Sequence, residues 1–438
     1  VTHPNLERHI ARVGSVSPIS VYGKVLDVVG MTIEATGPAM RIGDLCYVQG
    51  EKNSQRTPVE VVGFRGNRVL LMALGDIHGI GPNSLLIPTF KPQCIRVGMP
   101  LLGRVVDGTG APMDGGEPIN APHEAPLTAV PPKPMERRRI TEPISTGVRA
   151  IDACVTCGKG QRVGILAGSG VGKSKLMGMI ARHTNADVNV IALIGERGRE
   201  VREFIEGDLG TTGRNRSVVV AVTSDEPALL RIKGAYAATA IAEWFRDQGA
   251  DVMLMMDSVT RFAMAQREVG LAIGEPPTTR GYPPSVYGML PKLLERAGTS
   301  ANGSITGLYT VLVEGDDLND PVGDAVRSIL DGHISLSRPL ASRGHYPAID
   351  ILESVSRVMI EVAPRDHQEL AKRVRRVLAT WRDAEDLINI GAYVQGSNPD
   401  IDHAMRVMPR VRAFLQQGLD ETTAFEQLQS LMRQAVTG

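Results

Sequence analysis

The chain is poor in aromatic residues and in cysteine, has no excess charge of either sign, and carries no long apolar run. Each shortage removes a class of function. Seven phenylalanines, eight tyrosines and two tryptophans in 438 residues are too thin a supply for the stacking platforms that hold single-stranded nucleic acid. Lysine plus arginine equals aspartate plus glutamate, 48 each, so no net field draws the chain to nucleic acid or to an anionic membrane, and a partner must be met by a local patch. No apolar run approaches the ~20 residues of a spanning helix, and no basic-then-apolar leader opens the chain, so it reads as cytosolic. Beginning on Val1 rather than methionine, it also reads as trimmed. The four cysteines, Cys46, Cys94, Cys154 and Cys157, are too few and scattered for a disulfide framework. Cys154-Val-Thr-Cys157 has the spacing of a redox or zinc pair, but no second pair or histidine cluster accompanies it, and small buried thiols are expected.

What is present divides the chain into regions, as its length requires. Residues 1–95 read as a β-barrel domain with a short leading helix. Met31, Ile33 and Ala35 alternate with Thr32, Glu34 and Thr36, and strands over Val59 to Phe64 and Arg68 to Leu74 flank the turn Arg65-Gly66-Asn67. Leu6, Ile10 and Val13 at helical spacing suggest the leading helix, or else a frayed terminus. Residues 96–150 read as a linker or wrapping segment, because the prolines between 112 and 134 exclude a regular helix or central strand. From 151 to 365, apolar runs such as Val188 to Ile194, Val218 to Val222 and Val252 to Met256 alternate with helical stretches such as Ala235 to Gln248. That alternation predicts an α/β core: a parallel sheet covered by helices on both faces. Residues 366–438 read as a helical domain, with Leu370, Val374, Val377, Leu378 and Trp381 on one side. Lys372, Arg373, Arg375 and Arg376 between them are expected to form a solvated face or a docking surface for an acidic partner.

The chemistry is concentrated in the α/β region. Arg162 to Leu166 is a buried-strand pattern and Lys175 to His183 a plausible helix, so Ala167-Gly-Ser-Gly-Val-Gly-Lys-Ser174 lies at a strand-to-helix turn. Gly168, Gly170 and Gly172 allow the backbone N–H groups of the loop, with those of Ser169 and Val171, to approach phosphate oxygens closely, and the helix N-terminus adds its partial positive charge. This is a P-loop for ATP, with Lys173 on the β- and γ-phosphates and Ser174 on a magnesium ion. Ala167 stands where the strict pattern has glycine. Asp257, ending the run Val252-Met-Leu-Met-Met, is the expected acid that holds a magnesium-bound water. Glu196 ends the Val188 to Ile194 strand and is assigned to polarising the attacking water, with Arg197 in the γ-phosphate region. The competing expectation is that Glu196, Arg197, Arg199 and Glu200 form a surface salt-bridge cluster.

With these motifs in place the chain resembles the rotary ATPase catalytic family, and within it the type III protein-export ATPases, most of all the flagellar ones. The P-loop, Leu193 to Phe204, Asp257 to Phe262, Gly281 to Ser285, Asp331 to Ile334, Gly344 to Asp350 and Gly391 to Ser397 stand as that family writes them. The resemblance implies a RecA-like core and a homohexameric ring with ATP held between neighbours. It implies that Arg357 enters the adjacent subunit's site as an arginine finger, that Tyr346 packs against adenine, and that Phe414 closes the other side. The implied partners are a regulator, a central stalk protein, an export gate, and export substrates with their chaperones. The implied place is the cytoplasmic face of the inner membrane, reached through partners only. Competing expectations are a virulence-type secretion ATPase, the catalytic subunit of an ATP synthase, and a non-catalytic nucleotide-binding ring subunit. Glu196 weighs against the last.

Overall fold

The computed structural model describes residues 20–50, 56–313 and 320–437. The leading helix expected around Leu6 to Val13 lies outside them. The described chain forms two compact units, one running to Gln93 with Ala272–Gly274, the other comprising Cys94–Leu271 and Glu275 onward.

The first unit contains a closed antiparallel barrel. Its strands follow one another around the wall as Gly23–Val29, Thr32–Thr36, Arg68–Ala73, Arg56–Arg65, Asp44–Gln49 and Leu85–Pro92, the last pairing back with the first. Gly23 and Lys24 of the first strand pair with Leu86 and Leu85 of the last, which closes the wall. Gly66, at φ +60°, makes the tight turn between the paired residues Arg65 and Arg68. Ile33 and Ala35 point into the barrel core as the alternation predicts, whereas Met31 sits before the strand and is exposed. Glu34 is buried too, because Arg65 and Arg68 bind its two oxygens at 2.7 and 2.8 Å.

The second unit is built on a sheet in the spatial order Ile349–Ser356, Gly332–Leu336, Arg162–Ala167, Ser304–Leu312, Asp251–Asp257, Val188–Glu196, Ser217–Thr223, Val105–Val106. All neighbours are parallel except the first pair, and the two-residue strand Gly298–Thr299 adds antiparallel to Ser304–Leu312. This is the predicted α/β core. The inner strands read as unbroken apolar runs because both of their faces are covered; from Val188 to Gly195 every residue is buried. Asn189 is tolerated there because its amide donates to the Ala181 carbonyl at 2.8 Å. The covering helix expected from Ala235 begins earlier, at Ala228, where Pro227 sets its first turn.

The proline-rich segment is mostly irregular, as expected, with one short strand, His123–Pro126, paired to Cys94–Val97. It is tied down by Arg296, 1% exposed, which donates to the Leu127 carbonyl at 2.6 Å and forks onto both carboxylate oxygens of Glu243. Cys154 and Cys157 are fully buried, and burial pushes the Cys154 thiol up to about 12 and that of Cys157 higher still. Such thiols are small core residues, and among the described residues no His, Cys, Asp and Glu cluster is placed to hold a metal.

The C-terminal region is helical: Arg365–Asn389, Pro399–Leu415 and Leu428–Val436. Leu370, Val374 and Val377 join the same continuous core as the sheet strands. Lys372, Arg373 and Arg376 are exposed, as a solvated face requires, but Arg375 is not part of it. It turns inward and donates to the carbonyls of Ile351, Cys154 and Ser354 at 2.5 to 3.0 Å. Among the described residues no helix is long and apolar enough to cross a membrane.

Candidate active site

The strand Arg162–Ala167 and the helix Lys173–His183 are joined by five residues. Gly170 and Gly172 hold φ of +79° and +92°, a left-handed backbone that side chains with a Cβ adopt only under strain. These two glycines turn the loop so that it wraps over the start of the helix. Val171 faces the other way, into the core, at 2% exposure, so it offers a ligand only its backbone. Ser174 and Lys175 open the helix on the exposed side.

Two neighbouring strands bring carboxylates to the same place. Asp257 ends Asp251–Asp257 and is 3% exposed; its Oδ1 accepts from Thr310 Oγ1 at 2.7 Å and from the ammonium of Lys173. Glu196 ends Val188–Glu196, beyond a bulge at Gly195, and its Oε1 lies 3.4 Å from Lys173 Nζ. Burial disfavours charge on Lys173, but Asp257 and Glu196 more than offset it, and its pKa stands above the ordinary lysine value. Glu196 is pushed up to about 7, chiefly by burial and then by the nearby Asp257 charge, with Lys173 pulling the other way. A carboxylate poised near neutrality at the carboxyl edge of a parallel sheet has the tuning of a general base or water-orienting group.

Around these groups runs a cleft of about 610 Å³, lined by the loop from Ala167 to Ser174, by Glu196 and Arg197, and by Thr260 and Arg261. That is within the size range of small-ligand pockets. The donor set fits a triphosphate with its divalent cation: a ring of backbone N–H groups, one ammonium, one hydroxyl at Ser174 and two carboxylates. Gly170 has open space on its Cβ side, so the loop presents bare backbone there.

The other expected residues fall in different places. Arg197 lines the cleft but is largely exposed and pairs with Glu200 at 3.4 Å; Arg199–Glu203 and Arg202–Glu206 continue that surface ladder. Tyr346 packs beside the loop: a Cβ placed on Gly172 would lie 3.5 Å from its ring. Its carbonyl accepts from Gln417 N at 3.0 Å, and Gln417 is itself held by Arg149 and Gly147. Phe414, 8% exposed, packs in the continuous core, while its carbonyl accepts from Arg149 Nε at 3.0 Å; it does not line the cleft. Arg357 follows Ile349–Ser356, whose last residue pairs with Gly332 at the start of its strand. It therefore lies at the sheet edge opposite this chain's own P-loop.

Arg261 is a cleft residue that the motif reading quoted without a role. Its side chain lies across Gly195, and its Nε is buried without a partner. The available signal was its place four residues after Asp257, one helical turn into Val259–Ile273.

Comparison with known proteins identifies the family. Residues 147–356 match the nucleotide-binding domain of the ATP synthase alpha/beta family, 21–89 its beta-barrel domain, and 363–434 the EscN ATPase C-terminal domain of type III secretion systems. The chain is 54% identical to the flagellum-specific ATP synthase of Bacillus subtilis over 93% of both chains. It is 51% identical to the type 3 secretion system ATPase of Xanthomonas euvesicatoria over 94% of this chain and 93% of that one. Among solved structures, the assembled ATPase EscN of enteropathogenic E. coli superposes with a TM-score of 0.90 at 47% identity, covering 95% of this chain and all of that one. The same ATPase in complex with its central stalk EscO gives 0.88 at 46%, covering 95% of this chain and all of that one.

Proposed function

Since the chain belongs to the ATP synthase alpha/beta family, in its flagellar and type III secretion ATPase branch, we propose that it hydrolyses Mg-ATP as a homohexameric ring that energises export of flagellar components. The observation that carries the hydrolytic reading is the convergence of Lys173, Glu196 and Asp257 beside the P-loop. Lys173, now held by two carboxylates, is exchanged onto the β- and γ-phosphates when nucleotide enters. With nucleotide bound, Ser174 and Asp257 would hold the magnesium ion, Asp257 through a water, and the ion would supply charge neutralisation at the transferred phosphoryl group. Glu196 orients the attacking water and takes up its proton as the new O–P bond forms and the bond to the departing diphosphate breaks. Arg197 lies at the γ-phosphate end of the cleft, and Tyr346 packs on the base. Phe414, expected on the other side of the base, instead has its ring in the core, and only its carbonyl reaches this region, through Arg149, whose N–H donates to Gln417.

The placement of Arg357 supports the ring. Six residues of strand, roughly 17 Å, separate its sheet edge from this chain's own phosphate loop, too far to act in cis. Arg357 acts in the neighbour's site, stabilising charge on the phosphoryl group in transit. Assembly with a central stalk, as recorded for EscN, extends to this chain, and with it a regulator, an export gate, and substrates with their chaperones. The working place is the cytoplasmic face of the inner membrane. Turnover of ATP by the purified chain, abolished in Lys173→Ala and in Glu196→Gln, tests the enzymatic reading; binding without turnover at high protein concentration would sink it.

A second reading, secretion of virulence proteins, is favoured by the 51% identity to the Xanthomonas enzyme, close to the 54% to the Bacillus one. Restoration of motility, but not of effector secretion, in strains lacking their own ATPase decides between the two.

A further inference from the structure

The side chain of Arg357 is exposed, and among the described residues no carboxylate pairs with it. Its position is therefore fixed through the backbone, and the backbone contacts converge on one buried amide. Gln161 is 0% exposed. Its Oε1 accepts from Gly158 N at 2.9 Å, and its Nε2 donates to the Asp331 carbonyl and to Ser356 Oγ, each at 3.1 Å. The same Asp331 carbonyl accepts from Arg357 N at 3.0 Å. Ser356, the residue before Arg357, donates its hydroxyl to the Thr156 carbonyl at 2.8 Å. The amide thus touches both the acceptor of Arg357's own N–H and the side chain of the preceding residue.

Gln161 also immediately precedes the strand Arg162–Ala167 that runs into the P-loop. That strand is bonded on both sides, to Ser304–Leu312 and to Gly332–Leu336, and Arg162 N and Nε each donate to Asp331 Oδ2 at 3.1 Å. A strand held this way moves as a rigid body rather than bending.

We propose that Gln161 is the positioning residue of Arg357, so that the strand delivering this chain's phosphate loop at one end anchors, at its other end, the arginine lent to the neighbouring site. This rests on the trans reading of Arg357 given above. A shift of the loop strand on nucleotide binding is then carried to the adjacent subunit's catalytic centre without a separate relay. Because a buried amide with three good partners cannot be replaced by an apolar group without orphaning them, Gln161→Leu releases Arg357 while leaving the P-loop, on the opposite edge, intact.

Gln161→Leu should bind a fluorescent ATP analogue within about twofold of wild type and keep its KM, while kcat falls about ten- to hundredfold, the cost of misplacing a catalytic group by roughly 1 Å. Mixing supplies the readout that a merely structural role would not move. Lys173→Ala chains cannot turn over their own nucleotide but carry a sound Arg357, so adding them to Gln161→Leu chains should raise turnover severalfold per Gln161→Leu chain. Arg357→Ala chains mixed with Lys173→Ala chains give the reference. A rise in the reference with none in the Gln161→Leu mixture overturns the Gln161 assignment and leaves the shared site standing. No rise in the reference removes the shared site, and the proposal with it. Should Gln161→Leu fail to fold, Ser356→Ala, which removes one of the three partners, carries the same test, and wild-type kcat in that variant overturns the proposal.

Discussion

Lys173 Nζ stands 3.4 Å from Glu196 Oε1 while also bound to Asp257, so the cation proposed to bind phosphate and the carboxylate proposed to orient water are coupled in the free chain. The balance leaves Glu196 at about 7. A protonated carboxyl cannot accept a proton from water, so kcat/KM for ATP is expected to rise as pH climbs through about 7, since that ratio reports groups of the free enzyme. Any residual turnover in Glu196→Gln should lack this inflection; a retained inflection would assign it to another group.

The same shift has a stability consequence whose sign is opposite to that of an ordinary salt-bridged carboxylate. Below the ordinary glutamate value of 4.5 the group is protonated in the folded and unfolded chains alike and costs nothing. Between there and about 7 the folded chain keeps a proton that the unfolded chain has released, so a penalty builds as pH rises and is complete above about 7. Glu196→Gln should therefore melt above wild type at about pH 8 and converge on it at about pH 4.5. Calorimetric scans showing the same gap at both pH values would contradict the burial argument.

Arg357 lies at the far sheet edge from its own P-loop. Arg357→Ala should bind ATP normally at Lys173 yet lose turnover by about 10³-fold or more, the range of an arginine finger. Arg357→Lys should recover little, because an ammonium lacks the planar fork. Equal turnover in the alanine variant would remove the shared-site model.

Tyr346 offers a half-exposed ring next to Gly172. If it packs on the base, the ring matters and the hydroxyl does not. Tyr346→Phe should bind nucleotide as wild type does, and Tyr346→Ala should weaken binding roughly tenfold, as loss of base–aromatic stacking does elsewhere. Titration with a fluorescent nucleotide separates the two, and equal affinity in all three would place the base elsewhere.

The fold and much of the site were legible because they depend on local pattern. Unbroken apolar runs gave the parallel strands, since both faces of each are covered, and the glycine spacing gave the P-loop. Carboxylates at strand ends, Glu196 and Asp257, were legible for the same reason: a parallel sheet delivers its strand termini to one edge. What pattern could not give is direction across space. Arg375 stands among basic residues on a polar helix stripe, yet it turns inward because three carbonyls, from residues 154, 351 and 354, happen to lie beneath it. Arg261 was marked only by its spacing from Asp257, and Gln161 by nothing local, since two of its partners, Asp331 and Ser356, are distant in the chain. Phe414 shows the converse. A lone aromatic residue in a helix carries no mark of whether it meets a ligand or the core, and here its ring is in the core.

Gly178, in the middle of the helix that follows the P-loop, sets two effects against each other. Helix propensity alone favours alanine there by about 1 kcal/mol. But a Cβ at 178 would stand 2.7 Å from the Asp208 carbonyl oxygen and 2.8 Å from its Cβ, and these are backbone and stem atoms that cannot swing aside. Asp208 is pinned besides: its Oδ1 accepts from Lys175 Nζ at 2.6 Å, and its carbonyl accepts from Arg182. The segment Phe204–Leu209 would have to move off the helix, and overpacking of this kind costs about 1–3 kcal/mol, which outweighs the propensity gain. Gly178→Ala should therefore be destabilised, by up to about 2 kcal/mol in urea unfolding, and Lys175→Ala should soften the cost by releasing Asp208. A Gly178→Ala chain more stable than wild type would mean that the Phe204–Leu209 segment yields freely, and that the helix carrying Lys173 is less tightly held than its contacts imply.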